Sequence, residues 1–131
     1  MKKSVKIRKL IFEIIFDIYQ KNINFDEVYY KFTKKILISN EDQSMIFNVV
    51  LNSMRNNIYI ISILNKYLKK RTSKKIKILL LTAITQILYL DFRDYAVTND
   101  TVEVAKIKKL NPSLVNSLLK NLIKDRYKIN K

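Results

Sequence analysis

The 131-residue sequence predicts an all-α protein, a compact bundle of about seven helices. Apolar residues recur at spacings of three and four in one segment after another, which is the pattern of helices with one buried face. No stretch alternates apolar and polar residues for long, and no hairpin signal is present. A chain of this length can bury a substantial core, so we expect residues 1–131 to form a single domain, with a tail or linker at about 124–131.

The first four helices follow from apolar spacing, with polar residues at their boundaries. A stripe of apolar residues over positions 4–20 predicts the first helix. Asn24 and Glu27 match a capping box and begin a short second helix. Ser39 or Asn40 caps the third helix. A run of polar residues then marks the bend that separates the third helix from the fourth.

The fifth helix is expected to be the centre of the bundle. No side chain is charged over residues 78–90, so this segment is apolar on nearly every face and belongs in the interior. It is shorter than the roughly 18 to 20 apolar residues that cross a bilayer, and charged residues flank it. The sixth helix is expected to begin at Thr98 or Asn99. Asn111 followed by Pro112 predicts the start of the seventh.

The amino-acid composition restricts the chemistry that this chain can perform. It contains no cysteine, no histidine and no glycine. Disulfides, thiolate nucleophiles, the commonest metal ligand and Gly-rich nucleotide loops are therefore excluded. Asp100 and Glu103 lie near the predicted start of the sixth helix, where anions are favoured, so we expect them to be structural. We expect no catalytic residue, no metal and no cofactor.

The charge of the chain favours a polyanionic partner. The formal net charge is +15, which favours nucleic acid or an anionic membrane surface, although a generic lysine-rich surface is the alternative. One basic cluster lies in the first turns of the first helix, where the helix dipole disfavours cations, and a second precedes the fifth helix. The residues expected to contact phosphates are Lys2, Lys3, Lys6, Arg8, Lys9, Lys70, Arg71 and Lys74.

The basic start of the chain does not resemble a secretory signal, because it runs directly into an amphipathic pattern with acidic residues. We therefore expect a cytoplasmic location. Single-stranded RNA also requires planar side chains on which bases stack, and Tyr95 and Arg55 are the candidates. For Tyr95, packing between helices is the open alternative.

Two segments in the C-terminal part of the chain each match one half of a paired sequence pattern. They are YAVTNDTVEVA at residues 95–105 and VNSLLKNL at residues 115–122. Together they resemble the paired signature of the NusB family of RNA-binding domains, Ala-x-x-x-acidic-x-Val-Glu-x-Ala and then Val-Asn-Gly-x-Leu. The matching positions are Ala96, Asp100, Val102, Glu103, Ala105, Val115, Asn116 and Leu119. The resemblance extends over nearly the whole chain, with Asn52 and Ser117 in place of family glycines.

The resemblance implies a NusB-like helical fold that binds RNA, and two branches of the family are open. One branch is the free-standing transcription antitermination factor, which binds RNA and a small ribosomal protein. The other is the N-terminal domain of the Sun/Fmu (RsmB-type) 16S ribosomal RNA cytosine-5 methyltransferases. Arg55 and Lys120 resemble basic residues of the second branch. We therefore expect an RNA-recognition domain associated with an rRNA methyltransferase, whose catalytic domain would be covalently linked.

Two other interaction surfaces are alternatives to an RNA surface. An exposed apolar patch would indicate that a protein partner docks there, and Tyr29, Tyr30 and Phe92 are candidates for it. The basic, amphipathic first helix could also lie on an anionic membrane surface. This is the weaker alternative, and no membrane partner is expected.

Overall fold

A computed structural model describes residues 1–34, 36–68 and 72–128, and throughout these residues the only regular structure is helical. The predicted all-α fold class is confirmed. A π-helical turn, Thr85–Tyr89, continues the fifth helix, and a 3₁₀ turn, Arg126–Lys128, follows the seventh. The seven α-helices are α1 (Lys3–Lys21), α2 (Phe25–Thr33), α3 (Asn40–Arg55), α4 (Asn57–Tyr67), α5 (Lys74–Ile84), α6 (Asp94–Ile107) and α7 (Pro112–Lys124).

Side-chain caps determine where four of these helices begin. Asn24, Ser39, Ser73 and Asn111 each accept a hydrogen bond from the backbone N–H three residues further on, at 3.0 to 3.2 Å. Such caps satisfy N–H groups that no carbonyl of the helix can reach. The predicted starts of α2, α3 and α7 are therefore confirmed, with Pro112 at the first helical position of α7.

The predicted start of α6 was wrong. The helix begins at Asp94, ahead of the expected Thr98 or Asn99. Asp91 has a positive φ of 53°, which reverses the chain immediately after the π-helical turn. The N–H of Phe92 then donates to the Gln86 carbonyl oxygen at 3.0 Å. Because the connection is this short, residues 94–97 form the first turn of the helix.

The interior is built around α5 and the π-helical turn, as the sequence predicted. Every side chain over residues 78–88 is buried, and α5 packs against α1, α3, α4, α6 and α7. The polar side chains within this segment are satisfied by hydrogen bonds. Ser53 Oγ donates to Thr85 Oγ1 at 2.9 Å, and Gln86 Nε2 donates to the Thr82 carbonyl oxygen at 2.9 Å. Burial of these groups is tolerated because each has a partner.

Two residues that follow α7, Asp125 and Arg126, make contacts with the bundle. The tail or linker at about 124–131 stays a prediction. Arg126 Nη1 lies 2.6 Å from Asp94 Oδ2, and its Nη2 donates to the Ile87 carbonyl oxygen at 3.1 Å. The hydroxyl of Tyr67 donates to Asp125 Oδ2 at 3.1 Å. Charge-assisted hydrogen bonds of this kind hold the 3₁₀ turn against the start of α6. Residues 129–131 lie outside the described part of the chain.

None of the helices in the described residues combines the length and the apolar character needed to pass through a membrane.

Candidate nucleic-acid interface

The basic residues at the start of α1 are divided among three environments, because successive helical residues point about 100° apart and α1 is covered on several sides. Lys2 lies near α6. Arg8 is directed inward, against α6 and the π-helical turn. Lys3, Lys6 and Lys9 line a cavity between α1 and the connection that joins α2 to α3. The cluster that looks continuous in the sequence is therefore not one surface.

Arg8 is part of a buried polar network. Its side chain is only 10% exposed, with Nη1 2.8 Å from Asp100 Oδ2 and Nε 2.8 Å from Gln86 Oε1. Burial lowers the pKa of Arg8 below its ordinary value, and the Asp100 carboxylate opposes that shift. The positive charge of the guanidinium is balanced by the Asp100 carboxylate, and the group is shielded from solvent. It therefore links helices within the fold, in contrast to the phosphate contact that the sequence predicted.

A groove lies where the start of α1 meets α6 and α7, and we call it the α1–α6–α7 groove. It has a volume of about 530 Å³. Lys2 and Lys106 supply cations, and each is near a carboxylate: Lys2 Nζ is 3.8 Å from Asp100, and Lys106 Nζ is 3.3 Å from Glu103. Neutral hydrogen-bonding groups complete the polar lining, namely Asn99, Ser113 and Asn116.

The groove exists because α6 and α7 form a tight antiparallel hairpin. Lys109 has a positive φ of 57° just after α6, and the N–H of Leu110 donates to the Ala105 carbonyl oxygen at 2.8 Å. A residue in the left-handed conformation, followed by an N–H that donates to a carbonyl oxygen in the last turn, ends a helix abruptly. At the other end of the hairpin, Arg126 contacts Asp94 at 2.6 Å. The start of α6 therefore lies beside the end of α7.

Two further predicted residues lie on α6 and α7, one helical turn beyond residues that line the groove. Tyr95 is 79% exposed and precedes Asn99 by four residues, about 6 Å along the same face of α6. Lys120 follows Asn116 by four residues on the corresponding face of α7 and is also exposed. Neither residue lines the groove itself, and Tyr95 lines a separate pocket with Phe92 and Arg126. The exposure of Tyr95 excludes the alternative in which it packs between helices.

The remaining predicted residues lie elsewhere in the structure. Lys74 is exposed in the first turn of α5, where its neighbour Lys75 has its ammonium group 5.5 Å from the ring of Phe16. Phe16 is about 21 Å along α1 from Lys2, so Lys74 is far from the groove. Arg55 is exposed at the end of α3 and does not line the groove. The predictions for Lys70 and Arg71 fall outside the described residues.

Sequence reasoning missed several residues of the groove. The sequence did not identify Asn99, Lys106 or Ser113 as RNA-binding residues. With Tyr95, they follow helical spacing on α6 and α7. A polar stripe on the outer face of each helix was the available signal. It was uninformative by itself, because most surface helices have a polar face. In the described part of the chain, no group of three or more acidic side chains is arranged to hold a metal ion.

Comparisons with known proteins agree with this architecture. The model of the NusB family matches residues 5–124. The fold is similar to that of a chain in the crystal structure of antitermination factors NusB and NusE in complex with dsRNA, with a TM-score of 0.82 and 19% sequence identity over 95% of this chain and 98% of that chain. No curated protein matches the sequence. Because the family model spans most of the chain, the protein belongs to the NusB family.

Proposed function

We propose that this protein binds RNA through the α1–α6–α7 groove, as a non-catalytic domain. The main support is that Lys2 and Lys106 line one groove, while Lys120 and the exposed ring of Tyr95 lie one turn further along α7 and α6 from groove residues Asn116 and Asn99. Lysines neutralise phosphates without reading sequence, and an exposed aromatic ring offers a surface on which a base can stack. The similar NusB and NusE structure contains double-stranded RNA, which supports RNA as the class of partner.

The groove suits an unpaired strand better than a regular duplex. Sequence-specific RNA recognition uses bases that are splayed out of a helix, stacked on aromatic side chains and hydrogen-bonded along their edges. The amides of Asn99 and Asn116 and the hydroxyl of Ser113 supply donors and acceptors within the groove. Glu103 adds an acceptor and repels phosphate, which directs the backbone of the RNA toward the lysines.

Of the two branches of the family, we favour the antitermination type. The similar chain belongs to a complex of antitermination factors, and the fold matches over 98% of that chain. A small ribosomal protein as a second partner stays a prediction. The association with an rRNA methyltransferase also stays a prediction, supported only by the resemblance of Arg55 and Lys120.

The test is the salt dependence of binding to a fluorescently labelled single-stranded RNA, measured by anisotropy with the full chain. For single strands, the slope of log K against log salt is about −0.7 per phosphate contact. The variant Lys106→Gln/Lys120→Gln should therefore reduce the slope by about 1.4. Tyr95→Leu should weaken binding by about 5-fold to 150-fold, since base stacking contributes roughly 1 to 3 kcal/mol, and should leave the slope unchanged.

The matched control is Lys34→Gln/Lys74→Gln, which removes the same charge from exposed positions at the C-cap of α2 and in the first turn of α5. We expect its slope and its affinity to stay within about twofold of those of the original protein. An equal loss in the control would place the RNA outside the groove and would revive the prediction for Lys74. A salt-independent affinity would refute RNA binding through phosphates altogether.

A further inference from the structure

A second groove lies on a different side of α1, and we call it the α1–α3 groove. It has a volume of about 700 Å³ and is bounded by α1, by the start of α3 and by the connection over residues 36–38. Its apolar lining comes from Met1, from Ile7 and Leu10 on α1 and from the connection itself. Of these apolar residues, Met1 also lines the proposed RNA groove and the others do not.

The apolar wall of this groove is exposed to solvent. Leu37 is fully exposed and Ile36 is 55% exposed, while the adjacent Ile38 packs against the core. The backbone of the connection is held at both ends, since the N–H of Ile36 donates to the Thr33 carbonyl oxygen and Gln43 Nε2 donates to the Ile38 carbonyl oxygen, both at 3.0 Å. Single exposed apolar residues are common, but two neighbours fixed at the rim of a concave surface indicate a binding site.

The α1 side of the groove is positively charged. Lys3, Lys6 and Lys9 line it, together with the carboxylates of Asp42 and Glu13. Both carboxylates are already neutralised: Asp42 lies 3.0 Å from Lys3, and Glu13 lies 3.4 Å from Lys9 and 2.7 Å from Lys108. Lys6 is exposed and makes no ion pair with any described residue. The groove therefore presents an apolar wall beside an excess of positive charge.

The geometry points to an amphipathic, acidic protein segment as the occupant of the α1–α3 groove. Its apolar side chains would lie against Ile36 and Leu37, and its carboxylates would reach Lys6 and the neighbouring lysines. This is the helix-in-groove mode of peptide recognition with a complementary charge beside it. RNA fits less well, because phosphates and sugars would leave the apolar wall uncovered. A bilayer fits less well, because the apolar residues line a concavity that a flat surface cannot enter.

The probes are two synthetic helical peptides with leucines on one face. One peptide has glutamates along the flank of that face, and the other has lysines at the same positions. Binding to the full ¹⁵N-labelled chain is followed by amide chemical shifts. We expect the acidic peptide to bind at least tenfold more tightly than the basic one, with shifts confined to the start of α1 and residues 36–42. Equal affinities, or no binding of either peptide up to about 1 mM, would overturn the proposal.

Variants locate the site. Leu37→Ser removes an exposed side chain, so the fold should be preserved, and we expect the acidic peptide to bind at least fivefold less tightly. Ile58→Ser on α4 is the matched control, since Ile58 is also strongly exposed, and it should change nothing. Equal losses in the two variants would indicate non-specific hydrophobic binding and would overturn the proposal.

The RNA and membrane alternatives are separated in the same series. The labelled RNA should bind Leu37→Ser as it binds the original protein, because Leu37 does not line the α1–α6–α7 groove. Failure of all RNA binding would refute the proposed function and leave this inference standing. Leu37-dependent flotation with vesicles of phosphatidylcholine and phosphatidylserine, without peptide binding, would instead identify an anionic membrane surface as the partner and overturn this inference.

Discussion

Replacing Arg8 with methionine should destabilise the fold although Arg8 belongs to a cluster that looks like a solvent-exposed basic patch in the sequence. The guanidinium joins α1 to α6 through Asp100 and to the π-helical turn through Gln86, both at 2.8 Å. Removing it leaves the Asp100 carboxylate buried without its main partner. It also leaves Gln86 Oε1 without the N–H that donates to it.

The expected loss in the free energy of unfolding is about 3 to 5 kcal/mol, the usual consequence of removing one partner of a buried ion pair. Lys2 offers little compensation: its ammonium group lies 3.8 Å from Asp100 and is largely exposed, and a surface pair is worth about 0 to 1 kcal/mol. The lost hydrogen bond to Gln86 overlaps with this figure. For a domain of this size, the melting temperature should fall by roughly 10 to 20 °C.

The assay is urea denaturation followed by far-ultraviolet circular dichroism, applied to three variants. Arg8→Met tests the broken pair. The double variant Arg8→Met/Asp100→Leu removes both charges and should recover most of the stability, because an apolar pair in place of a buried ion pair is often neutral. Lys9→Met is the matched control, since Lys9 makes a partly exposed pair with Glu13 at 3.4 Å and should cost less than about 1 kcal/mol.

Two results would refute this reasoning. A loss below about 1 kcal/mol in Arg8→Met would mean that Asp100 is solvated and that the network is not buried. A double variant that is no more stable than Arg8→Met would mean that the loss in Arg8→Met does not come from an unpaired Asp100 carboxylate.

Three further predictions concern the rest of the fold. Burial would raise the pKa of Asp17, but hydrogen bonds from two lysines outweigh burial and hold the pKa below the ordinary value of 3.8. The stability that this carboxylate provides is therefore present above about pH 4 and is lost as the pH falls. In acid titrations, the stability of Asp17→Asn should differ from that of the original protein at pH 7 and converge with it near pH 2. Lys109→Gly should raise the free energy of unfolding by about 0.5 to 1 kcal/mol, because Lys109 has a positive φ that glycine adopts without strain. Lys106→Gly, inside α6, should lower the free energy of unfolding by about as much. Both variants are measured by urea denaturation. Burial raises the pKa of Tyr67 above its ordinary 10.0, so stability should fall as the pH rises through the pKa that Tyr67 has in the folded protein. In alkaline denaturation, Tyr67→Phe should reduce this dependence of stability on pH. An unchanged dependence would contradict the assignment.

The sequence by itself determined the helical architecture and the family of this protein. Periodic apolar residues, the caps at Asn24, Ser39 and Asn111, and the uncharged stretch over residues 78–90 each act within a few turns of chain. Such local preferences predict where a helix forms and which of its faces is buried. The start of α6 was missed because it depends on the positive φ of Asp91, for which the sequence contained no glycine as a signal.

Only the tertiary structure decided which basic residues share a surface. Positions along α1 give the angle of each side chain about the helix axis, but they do not say which neighbouring helix covers that angle. The fold therefore separated Lys2 from Lys6 and buried Arg8, which follows Lys6 by two residues. Asp94 and Arg126 came together because the α6–α7 hairpin is antiparallel, a contact between distant residues that no local spacing encodes.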